Sequence, residues 1–386
     1  MRSDDALPVE LPDTVREALL APLIDHHCHG VRRDDLARGR FEMLLTQAGT
    51  PAPPGTTHFD TPAGAAVRRW CAPVLDLDPH VPPAVYLARR AELGAAEVNR
   101  RLLGAAGITT FLVDGGPGGP DLLSAEEMGH AGGASAGEIV TIEQVELDVA
   151  RTAASGVSYI STLTQQLVSR AARAAGLTSS AAYRQGLGRD PARPSRGSVI
   201  AAATRRLAGP AERLTDPVLL RHLLWVAADV ARERNRPLRF HIGYGDSAPD
   251  PHGGDPSLMI GFLRAVQPIG VPVILLHCYP FHRQAAYLAG VLPHVYVDVG
   301  LALSCTAVGS AAVMGELLEL VPFHKQLFGS GGHGVAETCH LGALYYRRSL
   351  ARALSLRLAA DEWSVPDAAR VAHMIGSGNA RRVYRL

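Results

Sequence analysis

Short apolar runs of four to seven residues recur along the chain, each followed by a Gly-, Asp- or His-rich turn and then by a longer stretch with helical spacing. That alternation predicts strands joined by crossover helices, the pattern of a parallel α/β fold. The clearest strands fall at 22–25, 109–113, 139–142, 238–242, 271–276, 295–299 and 326–329, with a weaker fourth near 177–182. Eight strands with chemically rich ends fit a (β/α)8 TIM-type barrel, which gathers reactive side chains at its C-terminal strand ends. An open doubly wound sheet fits less well, because no Gly-rich dinucleotide fingerprint follows the first strand. The whole of 1–386 reads as one barrel domain. Residues 30–83 are too long for an ordinary βα connection and carry a Pro-rich tract at 51–54, so they read as an inserted, lid-like segment over the barrel mouth. The stretch 336–358 reads as the outer helix after the last strand, with Arg347, Arg348 and Arg352 on a solvated face.

Composition narrows the function classes. The 38 basic and 37 acidic side chains leave a formal charge of +1, which offers nucleic acid no basic footprint. With 47% hydrophobic and 19% charged residues the chain can bury a large core. Its first residues are acidic where a secretory signal is basic, so a cytoplasmic location is expected. No stretch approaches the roughly 18 to 20 uncharged apolar residues of a membrane span, so no membrane partner is expected. The five cysteines form no C-x-x-C pair, and sixteen histidines carry the information instead.

The first strand ends in Ile24-Asp25-His26-His27-Cys28-His29-Gly30. Side chains two apart on a strand point the same way, so His27 and His29 can place two imidazoles on one metal. His241 and His277 each end a hydrophobic strand and would converge on the same mouth. Glu143, following the third strand, is the candidate carboxylate shared by two ions, though a glutamate in a helix's first turn is also favoured by the dipole. His333, in the loop after the eighth strand, reads as a ligand, a base or a donor to another ligand. Asp298 and Asp246 are further candidate bases, Asp246 reading equally well as a turn residue. Cys28 and Cys278 read as core, and Asp25 and His26 as structural.

The runs IDHHCHG, AAGITTFLVDGG, FHIGYGD, LLHCYPFHRQAAYLAG, VYVDVG, LFGSGGHGVAETCHLGA and NARRVYRL resemble the amidohydrolase superfamily, closest to amidohydrolase family 2. The resemblance covers nearly the whole chain and implies a metal-dependent barrel with His27, His29, His241 and His277 as ligands. Two departures stand out. The family's S-D-G-H-G-x-P-E reads Ser330-Gly331-Gly332-His333-Gly334-Val335-Ala336-Glu337 here, so Gly331 replaces the aspartate that serves as general base. The fourth-strand lysine of F-K-S is also missing, which removes a carbamylated-lysine bridge.

Four imidazoles and one carboxylate on two divalent ions leave positive charge and open coordination positions. With iron, such a site takes dioxygen. The chain is in this respect similar to the TIM-barrel non-haem diiron monooxygenases of platensimycin and platencin biosynthesis. That resemblance implies two iron ions, dioxygen as co-substrate, an external electron donor, and hydroxylation of a diterpenoid acid carried as its coenzyme A acyl thioester, a step of antibiotic biosynthesis. The alternative is a hydrolase or decarboxylase with zinc or manganese, in which metal-bound water attacks and His333, Asp298 or Asp246 is the replacement base. The oligomeric state is left open.

Overall fold

The computed structural model describes residues 7–116, 119, 121–181, 186–188, 190–245 and 250–386. Seven parallel strands follow one another in chain order: β1 (Leu23–His29), β2 (Ile108–Asp114), β3 (Ser135–Thr141), β4 (Gly176–Ser179), β5 (Leu238–His241), β6 (Val273–Leu276) and β7 (Val295–Val297). Each strand pairs with its predecessor, because a parallel pair must be joined by a crossover and the intervening helices supply it.

The space between β7 and β1 is closed by 326–334. Leu327 N–H donates to the Val297 carbonyl (3.0 Å), while His26 N–H donates to Phe328 (3.1 Å) and His29 N–H to Gly332 (2.7 Å). These contacts complete a (β/α)8 barrel whose eighth strand is a string of single bonds rather than a ladder. Gly331 and Gly334, at φ 61 and 68, explain the irregularity: the backbone there visits conformations that a pleated strand does not. The strands expected at 22–25, 109–113, 139–142, 238–242, 271–276 and 295–299 are all present with shifted ends. The expected stretch 326–329 forms only the isolated bridge between Val297 and Gln326.

Two apolar clusters hold the barrel. The larger lies between the outer face of the sheet and the helices. The smaller fills the inside, where Ile24, Leu112, Ile139 and Ile274 meet Ala380, Val383 and Tyr384 of the C-terminal helix Asn379–Tyr384. The Tyr384 hydroxyl bonds to Nδ1 of His26 (2.9 Å), so the last helix plugs the N-terminal end of the barrel and reaches the polar layer above it.

In the outer helix Ala336–Ala359, Arg347 departs from the solvated face that its pattern suggests. It is buried and donates to the carbonyls of Leu19, Ala106 and Gly107, tying the helix to the bottom of the barrel. Glu337 is also buried, with Arg90 Nε at 2.6 Å and the Tyr86 hydroxyl at 2.7 Å. The stretch Gly300–Leu320 is apolar and long enough, by composition, to cross a membrane. In the fold it is two helices, Gly300–Thr306 and Ser310–Leu320, joined by a short turn, and more than half of it is buried against the rest of the chain.

His340 lies fully buried in the same outer helix, and neither ring nitrogen has a hydrogen-bond partner among the described residues. Burial pushes its pKa down to about 4. An unfolded chain takes up that proton below about pH 6.5 and the folded one only near pH 4, so stability is present at neutral pH and lost as the pH falls between those values. The expected contribution of this one group is on the order of 3 kcal/mol from pH 7 to pH 4. Urea titrations of wild type and His340→Leu should show it as a shallower acid slope in the variant; parallel slopes would remove the assignment.

Candidate metal centre

The ends of β1, β2 and β5 converge inside the barrel mouth. A register shift in β1 between Asp25 and Cys28 breaks the regular alternation and sends His27 and His29 toward the cavity. Asp114 ends β2 and His241 ends β5. One donor atom from each of His27, His29, Asp114 and His241 lies within 4.8 Å of all the others. His277 follows β6 at φ 85, a backbone conformation that is costly for a residue with a side chain and is found where a site holds it in place. Its Nε2 is 3.4 Å from His241 Nδ1, and its ring centroid is 5.8 Å from that of His27.

The electrostatics suit ligation. Burial is the main force lowering the pKa of His27 and His277 well below the ordinary value, with Arg239 and the neighbouring imidazoles adding to it. Burial likewise brings His29 down to about 4. These rings are neutral at pH 7, the form that binds metal. Burial disfavours the Asp114 carboxylate, but the hydrogen bond from His241 and the nearby His29 and Arg239 hold its pKa well below the usual range. Asp114 Oδ1 accepts from the Thr141 hydroxyl (2.7 Å), and Oδ2 faces Arg239 Nη2 (3.1 Å) and His241 Nε2 (3.2 Å). Three imidazoles and one fixed carboxylate, converging on a cavity of about 380 Å3, are a donor set that fits a divalent cation.

Arg239 is the unexpected element. It is fully buried, donates to the His26 carbonyl (2.6 Å) and approaches His27 Nδ1 (3.4 Å), so one guanidinium braces Asp114 and the strand carrying two histidines. Asp25 supports the same strand by accepting from the backbone N–H of His27 and of Ser330.

The remaining candidates divide. Glu143 sits in the first turn of helix Ile142–Thr152, outside the four-donor group; its Oε1 accepts from the Ser179 hydroxyl (2.5 Å), and Oε2 is buried with no partner among the described residues. Asp298 is fully buried against His26 Nε2 (2.7 Å) and does not line the cavity. His333 lines the cavity without joining the four donors. Its Nδ1 lies 3.2 Å from the Gly331 carbonyl, which can only accept, so Nε2 is the acceptor for the amide of Gln47 at 3.3 Å. Asp246 and Ala182 lie outside the described residues. Gly331 leaves no room for the family's aspartate: a Cβ there would collide with the backbone of Leu301.

Comparison with known proteins identifies the family. Residues 169–386 match the amidohydrolase family Amidohydro_2. The chain belongs to the amidohydrolase family. The chain is 25% identical to a protein of Lactobacillus casei assigned as a metal-dependent hydrolase, whose crystal structure superposes with a TM-score of 0.84 over 95% of both chains. The glucuronate isomerase of Caulobacter crescentus shares the fold at 14% identity and a TM-score of 0.67, covering 100% of this chain and 97% of that one. Protein fluG of Emericella nidulans is 29% identical over 175 residues, 45% of this chain but only 20% of that protein's length.

Proposed function

We propose that this amidohydrolase is a metal-dependent hydrolase acting on an amide, ester or lactone. The observation that carries the reading is the convergence of His27, His29, Asp114 and His241 at the barrel mouth. A divalent ion held there would polarise a substrate carbonyl and acidify a bound water. His333 would be the group to accept a proton in the cavity: its tautomer is fixed by the Gly331 carbonyl, its Nε2 lone pair meets Gln47 among the described residues, and burial favours its neutral form. Arg239 keeps Asp114 ionised, and His277 closes the wall of the cavity beside His241. In this reading residues 30–83 belong to the same domain and roof the site through Leu44 and Gln47.

A second reading has one observation in its favour. The buried Oε2 of Glu143, without a hydrogen-bond partner among the described residues, is a carboxylate oxygen available to a second ion, and a two-iron site of histidines and carboxylates would suit the oxygenation of an acyl thioester with dioxygen and an external electron donor. The test is to load separate samples with zinc, manganese and ferrous iron and to present amides, esters, lactones and acyl thioesters. Hydrolysis with zinc or manganese, with solvent oxygen entering the product, is expected. Oxygen uptake with iron alone, and no hydrolysis with any metal, would replace the hydrolase with the oxygenase.

A further inference from the structure

We infer that the substrate carries an anionic group, a carboxylate or a phosphate, remote from the bond that reacts, and that Arg32 receives it. This rests on the hydrolase reading only for the identity of the reacting bond.

Arg32 lines the same cavity as His27, His29 and Asp114, and it is the only lysine or arginine among the described residues that do. Its position is fixed from every side. The backbone N–H donates to the Gly334 carbonyl (2.9 Å), the carbonyl accepts from the Asn99 amide (2.8 Å), and the residue bridges Leu122. The guanidinium is held as well. Nε donates to Asp34 (2.7 Å) and Nη2 to Asp121 (2.9 Å), with only 16% of the side chain exposed. A guanidinium has five N–H donors, and these two contacts use two. Both donors of Nη1 and one of Nη2 make no hydrogen bond to another described residue, which leaves N–H groups to spare for the oxygens of a carboxylate or phosphate.

The two aspartates do not cancel this role. They orient the guanidinium, so a ligand loses less freedom in meeting its remaining donors. They also differ in commitment: the Asp121 side chain is 62% exposed, so its charge is largely screened by water. The same cavity therefore offers both metal donors and a held cation, and a molecule that meets both carries two polar groups.

Calorimetric titration of the zinc-loaded protein separates the two interactions without using catalysis. Acetate reaches the metal alone; malonate, glutarate and adipate can span to Arg32; 3-phosphonopropionate tests phosphate-like chemistry against carboxylate. In Arg32→Met at least one spanning probe should weaken about tenfold or more while acetate is unchanged. Arg32→Lys, which keeps the charge but loses the guanidinium, should fall between them. The relative loss for glutarate and 3-phosphonopropionate identifies which oxyanion the site prefers. No spanning probe binding more tightly than acetate to wild type, or equal changes for acetate and the spanning probes in Arg32→Met, would overturn the inference. The hydrolase reading fails separately, by absence of turnover with these affinities intact.

Discussion

Replacing His27 and His29 together by alanine is expected to strip the protein of tightly held metal and to lower its activity by well over a hundredfold. Loss of a single outer partner of a metal ligand already costs about 10- to 100-fold in affinity or activity, and this variant loses two of the four converging donors themselves. Elemental analysis of the dialysed variant checks the first half and initial rates the second. The fold should survive, because both side chains face the cavity rather than the packed helices, and circular dichroism should be unchanged. A variant that kept its metal but melted earlier would instead assign the two histidines to packing.

The second large effect is on stability. Arg239→Met, measured in the metal-free protein, is expected to cost on the order of 3–5 kcal/mol, the usual consequence of removing one partner from a buried ion pair. Asp114 would lose the cation at 3.1 Å and the His26 carbonyl its donor at 2.6 Å, both deep inside the barrel. Arg239→Met combined with Asp114→Leu should cost less than the single change, because no unpaired charge is then left behind. Urea unfolding of wild type and the two variants gives the comparison. Equal losses in the single and double variants would mean that Arg239 acts by packing alone.

The strand ends marked by histidine were legible because imidazole at the close of an apolar run has few other uses. Asp114 obeys the same positional rule at the close of Ile108–Asp114, yet an aspartate followed by two glycines also reads as an ordinary turn. Arg239 was hidden differently. Within Leu238–His241 it breaks an apolar strand, which reads as an edge or surface position until the barrel closes around it. Glu143 was reachable from sequence as a residue at a strand's end but not as a distance, since its direction depends on the helix turn that carries it. The eighth strand was the least regular because its glycines trade ladder bonds for close approach: Gly331 lies against Leu301, and Gly334 against Leu44 from the inserted segment. Long-range contacts such as those of Gln47 and Arg32 leave no periodicity for a sequence to reveal.

The bond between His26 and Tyr384 joins positions 358 residues apart. At about 5 to 20 residues per second, a ribosome needs roughly 20 to 70 s to deliver the second partner after the first. For most of that interval the edge of β1 that Phe328 and Gly332 later cover is unpaired, and until its end the interior histidines have no floor beneath them. The nascent chain is therefore exposed to wrong strand pairing until residues 326–334 emerge, and to capturing metal on an incomplete site until the helix Asn379–Tyr384 follows.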